Sequence, residues 1–418
     1  MQKIITFLSL LLMISFFSAC SPEPNEAIIT INNPGKSDRI DEGITISRKE
    51  IIEKIGKSAK HTVPAVFNAE NQIIPFQLDD LNGDGEWDEL FFVISVKAKN
   101  TKEVLLKSVN QQDIPSFKAR TNVRFADIKP PFKELTTAER LSSTDTKISQ
   151  KYFQMEGPAW ENEYVAFRNY FDARNGIDIY GKRVHDMILH KVGINGQNYH
   201  ELDDWGMDIL SVGTSLGAGA IAMEIQDSVY RINYCEGANV KVISKGPVRG
   251  VFELNFPKWQ AAGRTYDVKH LITIQAGKRY YQSRVLVNGI KGDEKLVTGL
   301  VNIHNDKLYS LPIDGGITAL ATHDKQAYDS EYLGMSLLVK TDDFIETGLA
   351  PEEGDGIIQS HLVKLKIKNN QPVIFRSYAC WQFENEKFKE RGYFLNYIEK
   401  EGRRMSSPLL VEFKKTAK

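Results

Sequence analysis

Arg168, Tyr170, Asp172 and Arg174 stand two residues apart and form the densest run of chemically capable side chains in this sequence. In an extended strand successive side chains alternate, so these four share one side, while Phe167, Phe171 and Ala173 take the other. Guanidiniums can neutralise a carboxylate bidentately, and a phenol can give up a proton to a departing oxygen. A second polar cluster follows at Tyr199, His200, Glu201, Asp203, Asp204 and Trp205. His200 is the leading candidate for a base, because it stands beside several acids. Of the eight histidines, His270 and His304 also have suitable company. His270 shares a strand face with Arg264 and Tyr266, and His304 follows Asn302 at a strand end. Asp172, Asp204, Trp205 and His304 are read as ligand-binding groups, with Trp205 as an exposed stacking surface next to Gly206. If the row faces a cleft, replacing Arg168 or Arg174 by alanine should remove turnover and cost little stability. If it is buried in mutual ion pairs, attention moves to His304 and the strand over 280–284.

Several chemistries lack their signatures. No HxH or HExxH spacing supports a catalytic metal. The segment GTSLGAG at 213–219 has no P-loop lysine, and its glycines are read as points of close backbone packing. Ser215 has no nucleophile elbow around it. The acidic loop DDLNGDGEWDE at 79–89 places Asp80, Asn82, Asp84 and Asp88 like the first half of a calcium loop, without the closing glutamate. A structural calcium is therefore the one candidate ion, against an acidic turn held by its own Asx hydrogen bonds. No cofactor is required.

The elements that must position these groups read as strands. Expected strands lie over 27–31, 44–47, 63–67, 72–78, 89–96 and 103–109, with a short helix over 48–55 capped by Ser47. Polar residues over 111–150 read as a surface connection with a short helix near 137–141. Strands return at intervals of roughly ten residues over 220–225, 228–234, 241–244, 248–256, 264–274 and 280–288. They continue over 297–304, 335–339, 357–367, 372–378 and 409–413. One late amphipathic helix is expected over 384–401, with Phe388, Phe394, Leu395 and Ile398 as its apolar positions. The fold class is mostly β: a large antiparallel β-sandwich of the galactose-mutarotase type, a super-sandwich with few helices. The expected organisation is a signal segment over 1–20, a tether over 21–26, a small N-terminal β unit over 27–110 and a main sandwich over 111–418.

The 418 residues carry 53 basic and 54 acidic side chains, a net charge of −1, which argues against a nucleic-acid partner. Lys3 and the apolar run over 4–17 read as an export signal too short to span a membrane. Phe17-Ser18-Ala19-Cys20 is lipobox-like, so Cys20 is the expected site of lipidation. That makes the chain exported and lipid-anchored, touching a bacterial membrane only through the lipid. Cys235 and Cys380 are read as free thiols in apolar surroundings.

The stretches GPAWENEYVAFRNYFDARNGIDIYGK, YHELDDWGMDILSVGTSLGAG and IPFQLDDLNGDGEWDELFF resemble the domain-of-unknown-function family 4861 of exported proteins from polysaccharide-degrading bacteria. The resemblance implies a carbohydrate substrate, and specifically dehydration of uronic-acid oligosaccharides. It transfers no catalytic residues. Such an elimination would use Arg168 or Arg174 on the uronate carboxylate, His200 or His270 as base, and Tyr170 as acid. A polysaccharide lyase needs the same parts. A non-catalytic glycan-binding lipoprotein and a glycoside hydrolase using Asp172 and Asp204 are the alternatives.

Overall fold

The computed structural model describes residues 26–142 and 145–414. The signal segment, Cys20 and the tether up to Asn25 lie outside these described residues. Strands dominate, and every pairing between them is antiparallel.

The largest sheet has nine strands and is built around one long hairpin. Its arms, Arg249–Ala261 and Arg264–Gln275, bury alternate side chains, as period-two patterning dictates. Ala262 and Gly263 turn the chain with φ of 51° and 69°, the left-handed pair of a tight two-residue turn. Tyr280–Asn288 and Val373–Trp381 continue the sheet. Two five-stranded sheets pack against it, and one core joins Phe167 and Trp160, Ile221 and Leu300, and Phe252 and Tyr281 from the three sheets. This is a large antiparallel β-sandwich. Among the described residues no helix is long and apolar enough to cross a membrane.

The N-terminal residues form a four-stranded and a three-stranded sheet with a core of their own around Ile29, Ile46, Leu90 and Leu106. The chain returns to it at the end, where Leu410–Phe413 pairs with Glu26–Asn32. Helix Arg48–Ile55 starts where its cap requires: Ser47 accepts from the amide of Glu50, and the Glu50 carboxylate accepts from the amide of Ser47.

Besides Thr121–Arg124, a buried strand of a five-stranded sheet inside the expected surface connection, three expected elements change. Residues 137–139 form a strand, not a helix, and add to the edge of the nine-stranded sheet opposite Asn239, Val240 and Lys241. So short a run gains little from helical hydrogen bonds, whereas Ala138 opposite Val240 gains a strand partner. The late helix runs over Arg391–Ser406 instead of 384–401. Phe388 is buried from a separate 3-10 turn, Glu386–Lys389, and the helix itself buries Phe394, Ile398, Glu401 and Gly402. The third change concerns the strand carrying Arg168. It ends at Asn169, and Tyr170, Asp172 and Arg174 lie in the turn that follows.

Gly206 and Gly217 justify the tight-backbone reading. Each has positive φ, and an added Cβ would stand 1.8 Å from the Gly181 oxygen and 1.9 Å from the Ile177 oxygen respectively. Both contacts are with the backbone of the neighbouring strand Ile177–Lys182, which cannot yield alone. Gly206→Ala should therefore cost at least about 1–3 kcal/mol in chemical denaturation; Gly196→Ala, with open space around its Cα, should cost only the strain of its φ of 76°.

Candidate functional site

The site is built on a five-stranded sheet of Thr121–Arg124, Ala159–Asn162, Val165–Asn169, Ile177–Lys182 and Gly206–Asp208. The loop over 170–176 joins the third and fourth of these strands, which pair with Arg168 opposite Asp178 and Phe167 opposite Ile179. In the next pair Tyr180 stands opposite Asp208. Alternation then sorts the sheet into two faces. Phe167, Ile179, Trp160 and Met207 go into the main core. Arg168, Asp178, Tyr180 and Asp208 go to the opposite face.

That second face is polar but not open. Residues 183–205 leave the sheet, fold back over it, and bury Ile188, Leu189, Val192 and Trp205 against Tyr180 and Ala166. Polar fastenings hold this cover. Glu161, ion-paired with Lys182 at 2.9 Å, accepts from the amides of Ile188 and Leu189 at 2.8 to 3.0 Å. Gln154 donates to the carbonyls of Leu189 and Val192 at 3.0 and 2.7 Å.

Beneath the cover Arg168 is 0% exposed. Its Nη2 donates to the Tyr170 hydroxyl at 2.7 Å, to Asp208 at 2.9 Å and to Asp178, and its Nη1 to Glu156 at 3.3 Å and Tyr199 at 3.4 Å. The Tyr170 hydroxyl donates to Asp178 at 2.6 Å. The Tyr170 ring lies between two guanidiniums, Arg168 at 4.4 Å and Arg174 at 3.6 Å. Arg174 holds Asp172 at 2.6 and 3.0 Å and Glu156 at 2.5 Å. Glu156 thus bridges both arginines. It does so from a left-handed backbone, with φ of 55° at Met155 and 65° at Glu156. Two consecutive non-glycine residues in that region store strain that the surrounding contacts must hold.

The charges do not cancel. Arg140 is buried and Arg231 half-buried nearby, and both are bonded to carbonyl oxygens rather than to carboxylates: Arg140 to Tyr170 and Asp172, Arg231 to Ser215, Thr214 and Arg174. Burial pushes them down to about 9 and about 10, so both remain charged at neutral pH. Four guanidiniums therefore face the carboxyl groups of Glu156, Asp172, Asp178 and Asp208. Burial and the adjacent Asp178 raise Asp208 well above the carboxylate range, which favours its neutral form. With Asp208 neutral, four guanidiniums stand against three carboxylates, an excess of one positive charge in a low-dielectric setting that projects it outward.

His200 is the exposed imidazole beside this cluster. It comes off the cover, its side chain is 46% exposed, and its Nδ1 stands 3.8 Å from Asp208. The Tyr199 ring lies at 4.7 Å and the Tyr328 ring, tilted by 32°, at 5.5 Å. Partial burial first, and the Arg168 charge second, lower the His200 pKa, so the imidazole is neutral at pH 7.

The other expected residues fall in different places. Trp205 is not an exposed platform: it is 6% exposed and packs on Tyr180, because its indole is the apolar plug of the cover. Asp172 is buried and committed to Arg174 and Ser149. Asp204 is exposed, and its amide donates to Asp203. His270 is sealed inside the long hairpin, bonded to Ser283 at 2.8 Å, away from this cluster. His304 is exposed, with Nε2 3.3 Å from Ser211 Oγ. The Asp80 loop folds onto itself: Asp80 accepts from the amides of Gly83 and Gly85, Asp84 donates its amide to Asn82, and Asp88 accepts from Leu81. Among the described residues no three His, Cys, Asp or Glu side chains are grouped to hold a metal ion. Cys235 and Cys380 are free thiols.

Asp178, Asp208, Glu156 and Tyr328 were not singled out from the sequence as site residues, and Tyr199 only as a member of the second polar cluster. No local signal gives Asp178: a two-residue turn at Asn175-Gly176 would set it opposite Ala173, whereas the longer loop over 170–176 sets it opposite Arg168. Nothing local points to Asp208, Glu156 or Tyr328.

Comparisons with known proteins give the following. A family described as Domain of unknown function (DUF4861) matches residues 31–411. A protein of Formosa agariphila named Uncharacterized protein P7 is 24% identical over 424 residues, covering 95% of this chain and 96% of that one. Two solved structures from Enterococcus faecalis, an alpha-mannosidase and a protein in the glycosyl hydrolase family 38, are each 9% identical and cover 95% of this chain. Their TM-scores are 0.49 and 0.47, over 46% and 48% of their own lengths, so the chain spans about half of each.

Two predictions concern stability. Arg168→Ala leaves Asp178, Asp208 and Glu156 facing a void, so it should cost roughly 3–5 kcal/mol in urea unfolding, contrary to the small effect expected for a cleft residue; His200→Ala at the half-exposed mouth should stay within about 0.5 kcal/mol. The second concerns pH. Burial pushes His270 down to about 3. Between that value and the ordinary histidine value the unfolded chain binds a proton that the native chain refuses. Stability is therefore full above about pH 6.5 and falls with acidification, by about 1.4 kcal/mol per pH unit from this residue. Comparing unfolding at pH 7 and 5 should show a shallower fall for His270→Gln than for the wild type.

Proposed function

The chain belongs to the family described as Domain of unknown function (DUF4861), and on that footing we propose that it is a carbohydrate-active enzyme that performs a β-elimination on uronic-acid units of an acidic oligosaccharide. The observation that carries this reading is His200: a neutral imidazole at the mouth of a buried, net-positive cluster, flanked by Tyr199 and Tyr328. A neutral histidine at pH 7 is a base. The half-exposed Tyr328 ring offers the apolar face on which a sugar ring stacks. The surplus positive charge favours an anionic unit over a neutral one. The family resemblance carried by the sequence around Arg168 points to the same substrate class.

In the elimination, Nε2 of His200, the nitrogen turned away from Asp208, takes the proton α to the uronate carboxylate. The electron pair forms the double bond, and the C–O bond on the adjacent carbon breaks. The proton on His200 is handed to the departing oxygen, so the base returns to its neutral form. Tyr170, a candidate acid on sequence grounds, is already committed to Asp178 and Arg168 and acts within the cluster. Loss of hydroxyl makes the reaction a dehydration; loss of a glycosidic oxygen makes it a lyase. The lipobox-like ending at Cys20 fits an enzyme exported and anchored to a membrane surface.

The test is product analysis on uronic-acid oligosaccharides. An ultraviolet-absorbing unsaturated uronate is expected, with loss of one water by mass for a dehydratase or chain cleavage for a lyase. His200→Ala should lower kcat by about 10²–10⁴-fold while the protein stays folded. The acid limb of kcat/KM should have its midpoint below the ordinary histidine value, because the folded pKa of His200 is lowered. Cleavage without an unsaturated product would make the chain a hydrolase, and binding without product would make it a glycan-binding protein; either would overturn the elimination.

A further inference from the structure

Three loops from three different sheets meet along one edge beside His200. The first carries Tyr199 and His200 on the cover of the five-stranded sheet. The second, Asn302 to Asn305, follows strand Lys295–Val301 of the other five-stranded sheet. The third contains Tyr328 and joins Ile317–Asp324 to Leu333–Lys340 in the nine-stranded sheet. All three are fastened to one short stretch, Asp208 to Ser211. The amide of Asp208 donates to the Tyr199 carbonyl at 2.8 Å, and the amide of Tyr328 donates to the Ile209 carbonyl at 2.9 Å. His304 Nε2 stands 3.3 Å from Ser211 Oγ. From Asp208 to Ser211 the backbone can span at most about 10 Å, so His200 and His304 bracket a short, continuous polar edge with the exposed Tyr328 along it.

This convergence is held from below. Gln326 is 4% exposed and bonds both strand ends that flank its own loop as well as Asn305 of the second loop. Its Nε2 donates to Thr322 Oγ1 at 3.0 Å and the Leu333 carbonyl at 2.7 Å, and its Oε1 accepts from Asn305 Nδ2 at 3.1 Å. Asn305 in turn accepts from the Lys307 amide. A buried amide satisfied on both sides fixes the distance between the loops that present Tyr328 and His304. A general solvated surface has no need of such a brace.

Resting on the reading of His200 as a sugar site, we infer that His304 and Ser211 form a second saccharide-binding subsite continuous with the His200 mouth. Tyr328 lies between the two as a shared platform. The ligand is accordingly an acidic oligosaccharide of two or more units, with one unit at His200 and its neighbour hydrogen-bonded by the imidazole of His304 and the hydroxyl of Ser211. Gln326 is a positioning residue that keeps the two halves in register.

The probes are galacturonate and its dimer, trimer and tetramer, titrated into protein with ¹³C-labelled histidine. The His200 and His304 imidazole signals are assigned with His200→Gln and His304→Gln. The expected result is that galacturonate shifts His200 alone, whereas the dimer and longer chains shift both histidines and bind at least about tenfold more tightly. His304→Ala and Ser211→Ala should lose that gain with length. Gln326→Ala should lose it too, while Gln326→Glu, which keeps an acceptor toward Asn305, should recover part of it. If His200 shifts at every length and His304 never does, or if His304→Ala keeps the full gain, the subsite is overturned and the uronate site at His200 stands. If neither histidine responds to any of the four probes, the uronate reading and the subsite both fall.

Discussion

A guanidinium with no exposure cannot stay charged alone, and the arrangement around Arg168 follows from that constraint. Its surroundings supply Asp178 from the partner strand, Asp208 from the next strand, Glu156 from a strained turn and two phenols. Water is replaced by fixed partners, and each partner must then be held where it is needed. Burial and the neighbouring Asp178 push Asp208 well above the carboxylate range, and with Asp208 neutral the cluster keeps one positive charge in excess. Stability and reactivity thus have one source. The same packing that makes the arginine costly to remove also keeps His200 neutral at its mouth.

The sheet and its cover serve this arrangement in different ways. The sheet provides registration, since cross-strand pairs place Arg168 against Asp178 and Tyr180 against Asp208. The cover over 183–205 excludes water from that polar face. It is tied down by Glu161, itself a buried carboxylate paired with Lys182. Two ion-paired carboxylate centres therefore lie side by side under one cover, and they differ in access. The Glu161–Lys182 pair is sealed and structural. The Arg168 cluster borders solvent beside half-exposed His200. The φ values at Met155 and Glu156 fit this division, because the strain falls at the turn that feeds Glu156 to both Arg168 and Arg174.

Much of this protein could be read from its sequence. Alternation separated Phe167 from Arg168 correctly, capping residues set the helix at Arg48, and glycines at 206 and 217 marked close backbone. The antiparallel sandwich followed from regularly spaced apolar runs. These are local properties: side chains alternate along a strand, Ser47 caps the residues just after it, and a glycine is required wherever φ is positive and another backbone is near.

Tertiary structure alone decided what the polar face of Arg168 meets. Alternation states that a face differs from the core, and it cannot state whether that face sees water or another segment. The segment over 183–205 returned to cover it, so Arg168 became buried and Trp205 became a plug instead of a platform. Asp208, Glu156 and Tyr328 reach the site from positions distant in the chain, and no local spacing encodes such meetings. The sequence determined which groups were capable of proton transfer and anion binding; the folding of distant segments over one sheet decided which of them could reach a ligand, because burial and pairing are properties of the assembled surface.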